Sequence, residues 1–293
     1  DWWLKITAAL NVPAEIIAVP PTLPADVRIF HRKRKSTPKK SIAKLEATIE
    51  LLHSSISRLF KTAEVSLSKM SLEGGFVTPQ EVASDMRQSL GISKGPIADL
   101  FEVIEMMGVY VLRWPLEEWK IDGLSSWPPG GQPLMLISNH ISPERQRFTA
   151  AHELGHLVMH NREATPWEER EADAFASSFL MPKEAVKEDW PQSPDLVTLM
   201  TIKKKWGVSL SALIRTGYDA NLLCDEDYKY LNIKMSMLGF QKSEPESMTQ
   251  ESPTQILKRI EALLSEGRSI EDLSRRTHMN SEEFEHLLVE VQK

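Results

Sequence analysis

The chain has 293 residues, 41% of them hydrophobic, with a formal net charge of -6 and one cysteine. It is long enough for a sizeable core, too acidic overall for a surface that binds nucleic acid everywhere, and unable to form an internal disulfide or a thiolate-based structural zinc site through Cys224 alone. No apolar run approaches the roughly 20 residues needed to span a bilayer, and the N-terminus lacks a signal peptide's order of basic and apolar regions, so a soluble cytoplasmic protein without membrane contact is expected.

Residues 2 to 17, "WWLKITAALNVPAEII", show helical spacing up to Asn11 and Pro13, and "AVPPTLPADV" is too proline-rich to continue a helix. The basic run from Arg28 to Lys40 reads as a solvated linker, so residues 1–40 are expected to be the end of an upstream helical module plus a basic linker. Thr37 and Pro38 can cap a helix in which Ile42, Leu45, Ile49, Leu52, Ile56 and Leu59 form an apolar stripe. That stripe predicts packing onto the chain's own core, with a dimer seam through residues 41–60 as the other use. "TPQE" at 78 to 81 is a capping box for a helix ended by Gly91, which closes a helical segment over 41–93.

A further helix is expected over Pro96 to Met107, stopped by Gly108. Two adjacent strands follow in "VYVLRWP" and "QPLMLISN", separated by the turn chemistry of "SSWPPGGQ". A helix from about Arg145 to His160 comes next, then one capped by Thr165 with Pro166 in its first turn and a stop before Pro182. Further helices are expected near 194–206 and 209–217. Residues 241–253 read as a polar linker, and 254–293 as a small C-terminal helical region with a break at Gly267, too acidic at its end for a convincing DNA-reading role. The segment between, 94–240, carries the chemistry.

Within it, "RFTAAHELGHLVMH" sets His152 and His156 four apart, one helical turn above each other, so both rings can face one ion. Glu153 lies about 100° around the same turn, within reach of a water on that ion, the HExxH arrangement of two metal ligands and a general base. A catalytic site of this kind needs a third protein ligand and an open position. Glu168, Glu169, Glu171 and Asp173 on the next helix are the candidates. Glu169, which shares a face with the small Ala172 and Ala176, is the preferred choice, and Glu171 is the alternative. Asp173 could hydrogen-bond the far nitrogen of a ligating histidine. Gly155 leaves clearance between the helices, while His160, about 12 Å from His152 along the axis at 1.5 Å per residue, is expected to cap the helix instead. His140, Arg145 and Arg147 are polar residues near the motif whose ordinary role would be salt bridging, and "LMLIS", 134–138, is a candidate edge for an added substrate strand.

"NHISPERQRFTAAHELGHLVMH" followed by "EEREADAFASSFLMP" resembles the ImmA/IrrE family of metallopeptidases, bacterial and phage-associated proteins linked to mobile-element immunity and stress responses. The resemblance runs roughly from Ile97 to Pro245 and includes "KKKWGVSLSALIRTGYDANLL". It implies an α+β, mainly helical fold, with a zincin-like metallopeptidase core and a small β-sheet flanked by helical N- and C-terminal segments. His152, His156 and Glu169 would correspond to metal ligands and Glu153 to the catalytic base. The implied ion is Zn2+, although such a ligand set also accepts Mn2+ or another divalent ion. The resemblance also implies a narrow protein substrate, a cognate DNA-binding repressor. "LKITAALNVPAEII" is similar to the last helix of the Xre-type helix-turn-helix that often precedes this domain, so DNA contact through a missing N-terminal module is a further expectation. The competing readings are a DNA-binding regulator that uses the fold as a sensor or docking surface, and a toxin-antitoxin component that acts by binding.

Overall fold

The computed structural model describes residues 29–30, 39–60, 65, 67, 77–92, 94–160, 165–277 and 279–292. The expectations for residues 2–17, the proline-rich stretch, the Thr37-Pro38 cap and most of the basic run lie outside these. In chain order the described elements are β1 (Ile29–Phe30), α1 (Lys39–Leu59), α2 (Pro79–Ser89), α3 (Leu100–Met106), β2 (Tyr110–Trp114), β3 (Gly123–Ser126), β4 (Leu134–Ser138), α4 (Pro143–Met159), α5 (Pro166–Leu180), α6 (Lys183–Asp189), α7 (Leu196–Trp206), α8 (Leu210–Asp219), α9 (Asp225–Met237), α10 (Gln255–Ser265), α11 (Ile270–Thr277) and α12 (Ser281–Gln292). The fold is α+β and mainly helical. Among the described residues no helix is long and apolar enough to cross a membrane.

Two compact units are built from interleaved stretches, the first from within 1–68, 102–139 and 252–293, the second from within 69–101 and 140–251. The first unit holds a small mixed sheet in the order β1-β3-β4-β2. β2 and β4 run parallel, Tyr110 opposite Leu134, while β3 is antiparallel to β4, Gly123 opposite Ile137, and the two-residue β1 extends the edge. β4 is therefore interior, with its ladder satisfied on both sides, and the expectation that 134–138 offers an edge to a substrate is corrected. The intervening β3 was not anticipated: Ser125 and Ser126 are fully buried, and His53 Nε2 lies 3.2 Å from the Ser126 hydroxyl.

Leu45, Ile49, Leu52, Ile56 and Leu59 of the α1 stripe are buried in one core with Leu112, Leu124, Leu134 and Leu136 of the sheet and Ile256, Ile260, Leu273, Phe284 and Leu287 of the last three helices. The stripe is thus used inside the chain, and the C-terminal helices share its core. Glu105 ties α10 down, its carboxylate accepting from the backbone N–H groups of Thr254 (3.0 Å) and Gln255 (2.9 Å), donors that an uncapped helix start leaves unsatisfied.

In the second unit the Thr78–Glu81 capping box starts α2, as its sequence requires. Arg87 of that helix is buried and donates 2.6 Å to the Phe179 carbonyl, satisfying an acceptor at the end of α5. The helix expected from Pro96 begins only at Leu100, because the preceding backbone is engaged elsewhere: the Ile97 carbonyl accepts from Arg147 at 2.8 Å, and the Leu100 N–H donates to Glu251 at 3.1 Å. Arg147 is buried and paired with Glu251, not with the acidic helix α5. Residues 241–251, without helix or strand, are fastened across this unit. Glu144 accepts from Ser247 Oγ (2.9 Å) and the Met248 N–H (3.0 Å), and Lys203 lies between Glu144 (3.3 Å) and Glu244 (2.8 Å). Helices α6 and α9 were not expected from the sequence, and Cys224 is exposed at the N-cap of α9.

Candidate metal centre

Two helices of the second unit carry the cluster. Ser142 caps α4, its hydroxyl accepting from the Arg145 N–H, and Pro143 fills the first turn, so the helix starts two residues before the expected Arg145. Thr165 and Glu168 form a reciprocal capping box at the start of α5, which sets Glu169 in the first turn. Gly155 lets the helices close: a Cβ there would lie 3.0 Å from Phe175 Cδ1 and 3.4 Å from Ala172 Cα. The clearance expected at Gly155 is therefore taken up by the Phe175 ring as well as by the small-residue face.

The Nε2 atoms of His152 and His156 are 3.1 Å apart, and each lies 3.6 Å from a different oxygen of Glu169. Ligand atoms of these three residues fall within 4.8 Å of one another. Glu169 Oε2 is buried without a hydrogen bond, since 3.6 Å exceeds hydrogen-bond reach. A buried carboxylate oxygen left bare costs free energy unless something electropositive meets it, and the two imidazole nitrogens beside it complete a His2Glu donor set suited to a divalent ion. The residues present fit a metal.

Electrostatics point the same way. Burial pushes the His152 imidazole down, but the carboxylates of Asp173, Glu169 and Glu153 outweigh it and raise the group to about 10. Burial, reinforced by the neighbouring His152 and His160, holds His156 well below the usual range. The cluster concentrates negative potential where one positive charge is accommodated. Asp173 Oδ1 lies 2.9 Å from His152 Nδ1 and accepts a hydrogen bond from its N–H, which leaves Nε2 to face the cluster. Glu153 is 4% exposed and close enough to His152 to bear on its charge.

Glu171, the alternative ligand, is directed elsewhere. Two residues along a helix rotate a side chain by about 200°, and its oxygens meet His160 Nε2 at 3.1 Å and Trp167 Nε1 at 2.8 Å. His160 does occupy the C-cap of α4, but it is also buried, with its Nδ1 2.8 Å from His156 Nδ1. Sequence reasoning missed this contact, although the signal was present: His160 stands to His156 as His156 does to His152. His140 and Arg145 line a cavity of about 1070 Å³, which also takes in Asp173, Arg170, Ser177 and Arg215. Asp173 thus joins that cavity to the cluster.

Paired helices present two histidines and a carboxylate, with an adjacent buried glutamate, on a mainly helical α+β fold, the donor arrangement that metallopeptidases use. Residues 104–216 match the family model Peptidase_M78, the IrrE N-terminal-like domain, in agreement with the ImmA/IrrE resemblance of the sequence. No curated protein matches the chain.

Proposed function

We propose that the protein is a zinc-dependent endopeptidase of restricted specificity, which cuts a cognate DNA-binding repressor or regulator in a stress-response or mobile-element immunity circuit. The observation that carries the reading is the convergence of His152 Nε2, His156 Nε2 and Glu169, with one Glu169 oxygen bare and Glu153 buried alongside. His152, His156 and Glu169 would hold the ion. When bound, it supplies Lewis-acid polarisation of a peptide carbonyl and makes water acidic enough to ionise near neutral pH. Glu153 takes the proton of the attacking water and returns it to the departing amine. Asp173 keeps the His152 ring turned so that Nε2 faces inward. The cavity beside Asp173 gives an extended segment of substrate room to lie.

The test uses the zinc-loaded full chain and its Glu153→Gln variant, each incubated with the product of the neighbouring gene. Cleavage should fall by roughly 10²–10⁴-fold in the variant, the contribution of a general base, with zinc content unchanged. Zinc retained in full by Glu169→Ala would sink the ligand assignment. Full zinc occupancy without cleavage of the partner would favour the sensor or docking reading.

A further inference from the structure

The metal-centre reading, on which this inference rests, uses one bond on the far side of His152 but leaves the far side of His156 unexplained. There the structure holds a continuous chain. Trp167 Nε1 donates to Glu171 Oε1 at 2.8 Å, Glu171 Oε2 lies 3.1 Å from His160 Nε2, and His160 Nδ1 lies 2.8 Å from His156 Nδ1. The chain runs inward from Trp167, 65% exposed, to His160 and His156, at 4% and 1%.

We infer that Trp167, Glu171 and His160 form a positioning relay that fixes the ring of His156 and the nitrogen on which its proton sits, so that Nε2 is presented unprotonated to the metal.

Only one proton can lie between two nitrogens 2.8 Å apart, so the direction of that hydrogen bond decides what His156 offers. Glu171 is an acceptor, so a neutral His160 carries its proton on Nε2 and turns a lone pair on Nδ1 toward His156. His156 then donates from its own Nδ1, and its Nε2 is left as a lone pair facing Glu169. In the reverse direction His160 donates from Nδ1. It must then either set a second lone pair against the Glu171 carboxylate or carry a buried positive charge, and a neutral His156 would present a proton to the cluster. An ion on His156 Nε2 requires the first direction. The indole N–H of Trp167 holds the other Glu171 oxygen and keeps the carboxylate aimed at His160. Asp173 does directly for His152 what Glu171 does for His156 through an intervening imidazole.

The test measures zinc affinity of the full chain by competition with a chromogenic chelator. His160→Phe removes the acceptor, while His160→Asn keeps an acceptor oxygen where Nδ1 stood. The phenylalanine variant should bind zinc roughly 10–100-fold more weakly, and the asparagine variant within about threefold of wild type. Equal affinity of wild type and His160→Phe would overturn the relay. So would an asparagine variant as weak as the phenylalanine one, because the acceptor would then be irrelevant. Should either variant fail to fold, nitrogen-15 spectra of the imidazoles in the zinc-loaded wild type decide. A proton on His156 Nδ1 and none on His160 Nδ1 supports the inference, and a proton on His160 Nδ1 overturns it. A wild type that takes up no zinc overturns the metal-centre reading and the relay with it, whereas zinc uptake indifferent to residue 160 removes the relay alone.

Discussion

Gly155→Ala sets two effects of known sign against each other. Replacing a mid-helix glycine by alanine stabilises a helix by about 1 kcal/mol, since glycine loses more backbone freedom on folding. The added methyl, however, would stand 3.0 Å from Phe175 Cδ1, 3.3 Å from Cγ and 3.4 Å from Ala172 Cα, inside the roughly 3.5–4.0 Å of comfortable carbon contact. Phe175 cannot swing away freely, because it is fully buried and stacked on Phe179 with centroids 5.4 Å apart. The shift therefore passes to the backbone of α5, and overpacking of this kind costs about 1–3 kcal/mol. The net expectation is a loss of about 0–2 kcal/mol in the metal-free protein. Ala172 is one turn from Glu169, so the displacement also carries the third carboxylate away from the histidines, and zinc affinity should fall roughly tenfold, the order seen when ligand support is disturbed. Urea denaturation gives the first quantity and chelator competition the second. A variant about 1 kcal/mol more stable than wild type, with unchanged zinc affinity, would refute the claim that this contact sets the ligand spacing.

Acid should weaken the first unit through His53, which burial against the sheet lowers to about 4 from an ordinary value of 6.5. The unfolded chain takes up the proton first, so stability is full above pH 6.5 and drains as pH falls toward 4, by about 3 kcal/mol in total; His53→Gln should flatten the pH dependence of unfolding in that window. Lys203→Met leaves the Glu144 and Glu244 carboxylates without their shared cation and should cost about 3–5 kcal/mol. Lys204→Met, which breaks only the exposed pair with Glu246, should stay within about 1 kcal/mol, and equal losses for the two would contradict the burial argument.

What could be read in advance was whatever is written locally. Thr78 with Glu81, and Thr165 with Pro166, announce helix starts because capping chemistry spans only a few residues. The α4 start carries an equally local signal in Ser142-Pro143, two residues before the expected Arg145. Helical spacing puts His152 and His156 on one face of α4 and Glu169 on the small-residue face of α5, and the packing at Gly155 brings the two together. β3 was opaque for the opposite reason: Gly123, Ser125 and Ser126 have no strand propensity of their own, and their burial is imposed by tertiary partners, β4 and the sequence-distant His53. That Glu171 turns to His160 and Trp167 is not legible in the sequence, because this pull emerges only once α4 and α5 are side by side.

The interleaving of the first unit bears on how a working fragment should be cut. A piece trimmed to residues 104–216 would keep β2, β3 and β4 but discard α1 and the last three helices, whose side chains share the core with Leu112, Leu124, Leu134 and Leu136. Those leucines would then meet water, and the exposed apolar face would invite aggregation. The stretch that carries the family signature and the stretch that can fold by itself are different lengths of chain, and expression boundaries are better drawn to include α1 and α12.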